Sequence, residues 1–396
     1  MSDHFSLPHR LVALPRKIQA HGWNWAVRRL GAEFRVPTTG PGRLIRGVLV
    51  AGLKLVAKLF AGRRVGNTLF AFYDLEVMPV TFDAVSFLAL ADLARRKAML
   101  PNLHMVIVPG RNAGLREENL DYEAAINVDV RRWRLRHIIL PLRSLLPVPG
   151  GQTLCASREE GERVWRTARH TWPEGYSVDF PVASATDGPI VQAAELRANY
   201  PLLRAPDQAC RYVRQFLDAH ADGRPTIVFS LRESPYSVAR NSDIAATAQV
   251  ARELSPRFAV ILVPDTDTAM DLPPPELAAF PICSAAAFNL EIRMALYEAA
   301  LIVAGVAQGP FELCWYSDRC RYVSFLEPGL SPQTEPHFLR QRKVICGTSP
   351  AFTLSSHRWV WQRDKAGTML EAIDDLADWL DAQPRLTRNW YPYHEL

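Results

Sequence analysis

The 396-residue chain is 48% hydrophobic and 22% charged, with a net charge of +5, a balance that excludes disordered and collagen-like polymers and leaves room for two domains with their own cores. The charge is uneven: residues 1–66 carry twelve Lys/Arg against two Asp/Glu, and the rest carries 34 basic and 39 acidic side chains. A net-acidic body argues against a protein that coats nucleic acid, and six scattered cysteines without a CxxC pair argue for free thiols over zinc or disulfides.

The first twenty residues lack an apolar run followed by a small-residue cleavage site, so no export signal is expected. The basic arm, residues 1–66, predicts two helices, Ile18–Leu30 and Arg43–Phe60. In the second, Leu49, Leu53, Val56 and Phe60 share one face, while Arg46, Lys54 and Lys58 lie largely off it. Its apolar run is too short and too interrupted for a bilayer span of ~20 residues. Two readings stay open: a helix lying on an anionic membrane surface, and one packed on its own domain with solvated lysines.

From residue 67 the pattern becomes α/β. Asn67–Tyr73 predicts a strand, Leu75–Asp83 a loop, and Ala84–Ala98 a helix with Phe87, Leu88, Ala91 and Leu93 turned inward. Leu103–Val108 is the next strand, closed by Pro109-Gly110, which makes a βαβ unit with a right-handed crossover as the default. Residues 111–150 are Arg-rich and then Pro/Gly-rich. Arg158–His170 and Asp207–His220 read as helices with an irregular Trp172–Tyr200 between them, and Ala221–Pro225 reads as a linker.

Beyond the linker, the apolar run Thr226–Leu231 breaks into a polar loop, Arg232–Ser242. A helix and a second apolar run, Phe258–Val263, follow, ending in Pro264-Asp265-Thr266-Asp267. Asn289–Ala300 is helical with Leu290, Met294 and Tyr297 inward, Leu301–Val306 is a strand, and Pro310 opens a short helix, Phe311–Tyr316. Tyr322–Leu326 and Lys343–Cys346 predict further strands, and Leu370–Leu380 a closing helix. Two halves, 67–221 and 222–396, therefore make a doubly wound α/β protein with a cleft between them.

In such sheets ligands bind beyond the carboxyl ends of strands, near helix N-termini. Arg232 follows a strand directly, and Arg240, Asn241 and Ser242 precede a helix. Two arginines there suit a phosphate-bearing ligand; the alternative is a plain Arg232–Glu233 ion pair. Gln308, Gly309 and Pro310 lie at another strand end, where glycine lets a backbone approach a phosphate or sugar closely. Asp265-Thr266-Asp267 has the DxD form of a metal site, but a solvated strand-to-loop turn is the reading adopted. No Walker loop, GxGxxG or Ser/His/Asp set occurs. His104, inside an apolar strand, reads as a core histidine.

LRESPYSVARNSD, VILVPDTDT and LEIRMALYEAALIVAGVAQGPFEL, with YDLEVMPVTFDAVSFLALADLARR and HMVIVPG before them, resemble a family of bacterial glycosyltransferases linked to cell-surface glycan synthesis. The resemblance spans about residues 67–330. It implies a GT-B-like fold of two Rossmann-like domains, the N-terminal one for the acceptor and the C-terminal one for a nucleotide diphosphate sugar. It implies donor contacts from Arg232, Arg240, Asn241, Ser242, Asp265, Gln308, Gly309 and Pro310, without a metal or other cofactor. A base is then needed for the acceptor hydroxyl, with Asp74, Glu76 and Asp83 as candidates. The acceptor would be a glycan, lipid-linked or protein group, reached from the cytoplasmic face of the membrane. A nucleotide-sugar epimerase and a non-catalytic membrane scaffold are the alternatives.

Overall fold

The computed structural model describes residues 65–184, 188–196 and 200–383, together with Leu44, Gly47, Val48 and Gly52. Apart from those four positions, which are helical and exposed, the predicted helices of the basic arm lie outside the described residues. No helix among the described residues is long and apolar enough to cross a membrane.

The first half runs β1 (Val65–Asp74), α1 (Asp83–Lys97), β2 (Asn102–Val108), α2 (Leu120–Ala125), α3 (Val128–Arg134), β3 (Gln152–Leu154), α4 (Arg158–Thr167), β4 (Ala168–Trp172) and α5 (Gly188–Leu196). Its sheet is parallel throughout, in the order β3-β2-β1-β4. The predicted helix 158–170 is cut short: α4 stops at Thr167, and the next residues become the edge strand β4 beside β1. Two short helices, α2 and α3, occupy the Arg-rich segment, each begun by an asparagine (Asn119, Asn127) whose side chain accepts from the first-turn amides.

The second half runs α6 (Asp207–His220), β5 (Thr226–Ser230), α7 (Ile244–Leu254), β6 (Ala259–Val263), α8 (Ser284–Phe288), α9 (Leu290–Ala299), β7 (Ile302–Val306), α10 (Phe311–Trp315), β8 (Tyr322–Phe325), α11 (Pro336–Gln341), β9 (His357–Val360) and α12 (Ala366–Asp381). The parallel order is β6-β5-β7-β8-β9. An isolated parallel bridge, Leu262 to Ile282, adds a vestigial strand outside β6, which completes the Rossmann order 3-2-1-4-5-6. Residues 343–346 do not form a strand; the edge strand is β9, fourteen residues further on from Lys343. Helix α6 precedes the predicted linker yet packs on α9, and the amides of Leu203 and Ala205 already bond to Tyr316 O and Glu298 of the second half. The amide between them, Arg204 N, bonds to Leu145 O of the first half, so the segment before the turn touches both halves.

Strands β5, β6 and β7 are buried along their whole length, as parallel strands covered on both faces must be, which is why they read as unbroken apolar runs. One face of the second sheet packs under α7 and α12 through Phe229, Leu262, Val250, Ile373 and Leu376. Its other face belongs to a core that continues into the first half, from Val228 and Phe311 through Val85 and Leu88 of α1 to Tyr73. The halves thus share one apolar body, and the fold is GT-B-like: two Rossmann-like halves whose sheets open onto a common cleft. All six cysteines are free thiols.

Candidate functional site

The cleft between the halves has a volume of about 380 Å³. It lies at the point where the second sheet reverses its winding, between the carboxyl ends of β5 and β7, the crevice where open α/β sheets bind ligands. Of the residues singled out in the sequence, it brings together Asp83, Arg232, Arg240, Asp265, Gln308, Gly309 and Pro310.

Arg232 leaves the end of β5 and is 8% exposed. Its guanidinium donates to Ser237 O at 3.1 Å, to Tyr236 O at 2.7 Å and to Asn241 Oδ1. Three of its five N–H groups therefore brace the loop around Ser237, which sits in the left-handed region at φ 56°. Burial first, and then Arg240, push its pKa down to about 10. It makes no ion pair with Glu233: that residue's amide donates to Asp265 Oδ2 at 3.1 Å. Arg240 donates once, to Ala307 O at 2.9 Å, and burial lowers its pKa. Neither arginine has a carboxylate partner among the described residues. The crevice thus gathers two arginines without an ion-pair partner, although Asp265 and Asp267 act on Arg232 from a distance and Asp83 and Glu312 share the lining.

Asn241 and Ser242 hold the loop and do not line the cleft. Asn241 accepts from Ser234 N and donates to Ser234 O, and Ser242 Oγ accepts from Arg232 N at 2.9 Å. The N-cap of α7 is the next residue, Asp243, which accepts from Ala246 N. Gln308 ties the two strand ends together, its Nε2 donating to Ser230 O at 2.8 Å and Ser230 Oγ at 3.2 Å. Gly309 has a reason that the sequence did not suggest. A Cβ there would lie 2.8 Å from Phe82 Cβ and Cδ2, so the glycine permits close approach of the first half. The Asp265–Asp267 turn is not solvated: Asp267 is paired bidentately with Arg134 of α3, and Trp133 Nε1 donates to Thr266 O at 3.0 Å. The turn is a seam between the halves.

The three candidate bases separate cleanly. Asp74 is fully buried and accepts from Arg158 at 2.9 and 3.1 Å, Tyr176 Oη at 2.8 Å and Glu76 N at 2.9 Å. That network joins β1 to α4, so Asp74 is structural. Glu76 accepts from Arg111 N at 2.7 Å and Nη1 at 3.1 Å, away from the cleft. Asp83, the first residue of α1, faces the cleft with 37% of its side chain exposed. It accepts from Thr81 Oγ1 at 2.8 Å and lies 4.0 Å from Arg342 across the mouth. His104 bonds Thr153 Oγ1 at 2.8 Å, a satisfied histidine within the sheet.

Several cleft residues carried no signal in the sequence. Glu312, 4% exposed, accepts from Ser86 Oγ at 2.7 Å, and that hydroxyl shares a 2.8 Å bond with Tyr316. A buried polar link thus joins α1 to α10 beneath the cleft. Beneath it too is Arg293, 1% exposed, which holds the carbonyls of Ala286, Ala287 and Pro264 and lies 5.9 Å from the Phe82 ring. Glu312 stood within the motif already noted, but only its pairing with Ser86 reveals its place. Tyr236 stood within the Arg232–Ser242 loop but was not singled out in it, and Gln333 and Trp359 came from segments with no pattern at all.

No family model matches the chain, and no curated protein matches it. Among solved structures the chain is similar to a glycosyl transferase family 9 protein from Veillonella parvula DSM 2008 (11% identity, 80% of this chain and 98% of that one, TM-score 0.41). It is similar to the E. coli ADP-heptose LPS heptosyltransferase II (12% identity, 80% and 100%, TM-score 0.48) and to the wall teichoic acid polymerase TagF (8% identity, 88% and 92%, TM-score 0.33). These are likenesses of fold.

Proposed function

We propose that the protein is a glycosyltransferase that moves a sugar from a nucleotide diphosphate sugar to an acceptor hydroxyl. The observation that carries the proposal is the pair Arg232 and Arg240, cations without a carboxylate partner among the described residues, at the switch-point crevice and in one cleft with Asp83. Arg240, which gives one guanidinium N–H to Ala307 O, contacts the diphosphate directly through the rest of its fork. Arg232 supplies charge and holds the loop. Asp83 takes the proton of the acceptor hydroxyl as its oxygen bonds to the sugar's anomeric carbon. The bond from that carbon to the diphosphate breaks, and the arginines hold the leaving charge in place of a metal ion.

The acceptor in this reading is a glycan, lipid-linked or protein hydroxyl, and the basic residues 1–66 hold the enzyme to an anionic membrane surface. A thermal-shift screen of UDP, ADP, GDP and CDP with their sugars tests the donor side, since a ligand of the folded state raises its melting temperature. Absence of any shift, or an Arg240→Ala variant that shifts as the parent does, overturns the assignment. A donor isomerised without transfer would make the enzyme an epimerase instead.

A further inference from the structure

The stretch 343–346 alternates like a strand but is irregular, and the alternation sorts its side chains. Val344 and Cys346 pack with Leu326 and Leu339, while Lys343 and Ile345 are exposed, Ile345 to 60%. The tip is braced. Thr348 N and Oγ1 both donate to Ile345 O, at 3.1 and 2.8 Å, and Thr348 O accepts from Trp361 Nε1 at 3.2 Å. Trp361 is itself partly exposed, and its ring centroid lies 5.9 Å from that of Trp359 in the cleft wall. Charge sets this edge apart from the rest of the surface. Residues 336–363 carry five Lys/Arg and no Asp/Glu, within a body, 67–396, that holds 34 basic and 39 acidic side chains. Arg340 and Lys343 are exposed there. The apolar tip beyond β6 is the opposite case: Leu272, 94% exposed, stands between Asp271 and Glu276. A braced tip that presents apolar and cationic side chains together matches a layer of negative headgroups over an apolar interior.

We infer that the edge formed by α11, the 343–348 turn and the end of β9 rests on an anionic membrane. Ile345 and Trp361 enter the boundary between headgroups and acyl chains, where indole rings are favoured, and Arg340 and Lys343 meet the lipid phosphates. Because Arg342 and Trp359 line the cleft, this contact sets the cleft mouth beside the bilayer. The inference builds on the reading in which residues 1–66 meet a membrane, and adds which face of the body turns toward it. It does not depend on sugar transfer.

The full chain is mixed with vesicles of phosphatidylglycerol and phosphatidylethanolamine, or of phosphatidylcholine alone. Binding is read by flotation, and amide hydrogen exchange by mass spectrometry locates the contact. The anionic vesicles are expected to slow exchange across 340–348, and the neutral ones to leave it unchanged. Arg340→Gln and Lys343→Asn, the latter suited to the left-handed backbone at φ 58°, should each weaken anionic binding roughly 5-fold. Ile345→Glu should weaken it at least as much, and Leu272→Glu should bind as the parent does. The inference is overturned if vesicles slow exchange in residues 1–66 alone. It is also overturned if the three edge variants, with unchanged urea midpoints, bind vesicles as the parent does. Protection of 340–348 by soluble polyglutamate but not by vesicles would assign an acidic polymer and overturn the membrane. A parent that binds no nucleotide diphosphate yet shows the vesicle protection loses the glycosyltransferase reading and keeps this one.

Discussion

Replacing Gly309 with alanine tests whether the two halves are pinned against each other at the cleft. An ideal Cβ at this position meets Phe82 Cβ and Cδ2 at 2.8 Å and Cγ at 3.0 Å. Restoring an ordinary carbon contact of ~3.5 Å requires a displacement of roughly 0.7 Å. Rotating the phenyl ring relieves Cδ2 but not Cβ, so the backbone of α10 or of the loop before α1 has to move. Overpacking of this kind costs about 1–3 kcal/mol, offset by ~0.4–1 kcal/mol from the stiffer unfolded chain, for a net loss of about 1–2 kcal/mol. Urea unfolding of the parent, Gly309→Ala, Phe82→Ala and the double variant measures it as a cycle. The expected coupling is favourable and on the order of 1 kcal/mol, because removing the ring takes away two of the three clashes. Diphosphate affinity should fall as the cleft widens. If Gly309→Ala unfolds at the parent's urea midpoint and the cycle closes with no coupling, the reasoning is refuted. A loss of ligand affinity at unchanged stability would return the glycine to a role in ligand approach.

Arg240→Gln is expected to weaken diphosphate binding by about 10- to 100-fold, the range for charge-assisted hydrogen bonds, with little change in urea midpoint. Arg232→Ala should lose both binding and stability, because its guanidinium also holds the 236–241 loop; equal stability would show that the brace is dispensable. Asp83→Asn should lower turnover by about 10²- to 10⁴-fold while diphosphate affinity stays near the parent's. Asp74→Asn should instead destabilise the first half by about 3–5 kcal/mol through the stranded Arg158, and the reverse pattern in calorimetry and kinetics would exchange their roles. Glu298, buried on α9 near Arg319 and Ser317, has its pKa raised to about 7 by burial. Its folded form binds more protons than the unfolded chain between about pH 4.5 and 7, so stability should decline as pH rises through that window. Glu298→Gln should flatten the decline in urea midpoints, and an unchanged slope there would count against the buried carboxyl.

The strands β1, β2, β5, β6 and β7 were legible because parallel strands buried on both faces have to be continuous apolar runs, and α6, α9 and α12 because one face repeats at helical spacing. Strands β4 and β9 were not. Ala168–Trp172 and His357–Val360 are edge strands, partly exposed and polar, and they are strands only because a neighbour offers its free backbone edge. Asp83 and Asp74 looked equivalent in the chain, nine residues apart beside one strand. A single observation separates them: Asp74 is enclosed by Arg158 and Tyr176, brought from 84 and 102 residues away.

Local chemistry therefore determined that Arg232 and Arg240 would flank a strand end and that Gln308-Gly309-Pro310 would open a helix, since both follow from where apolar runs stop. It also determined that a basic arm precedes a net-acidic body. The tertiary structure alone decided which polar residues remained available to a ligand. Asn241, Ser242, Gln308 and Asp267 were drawn into bonds that hold loops and halves together, and Gly309 was set against Phe82. The physical reason is that a buried polar group must find a partner, and the partner is chosen by three-dimensional packing and not by distance along the chain.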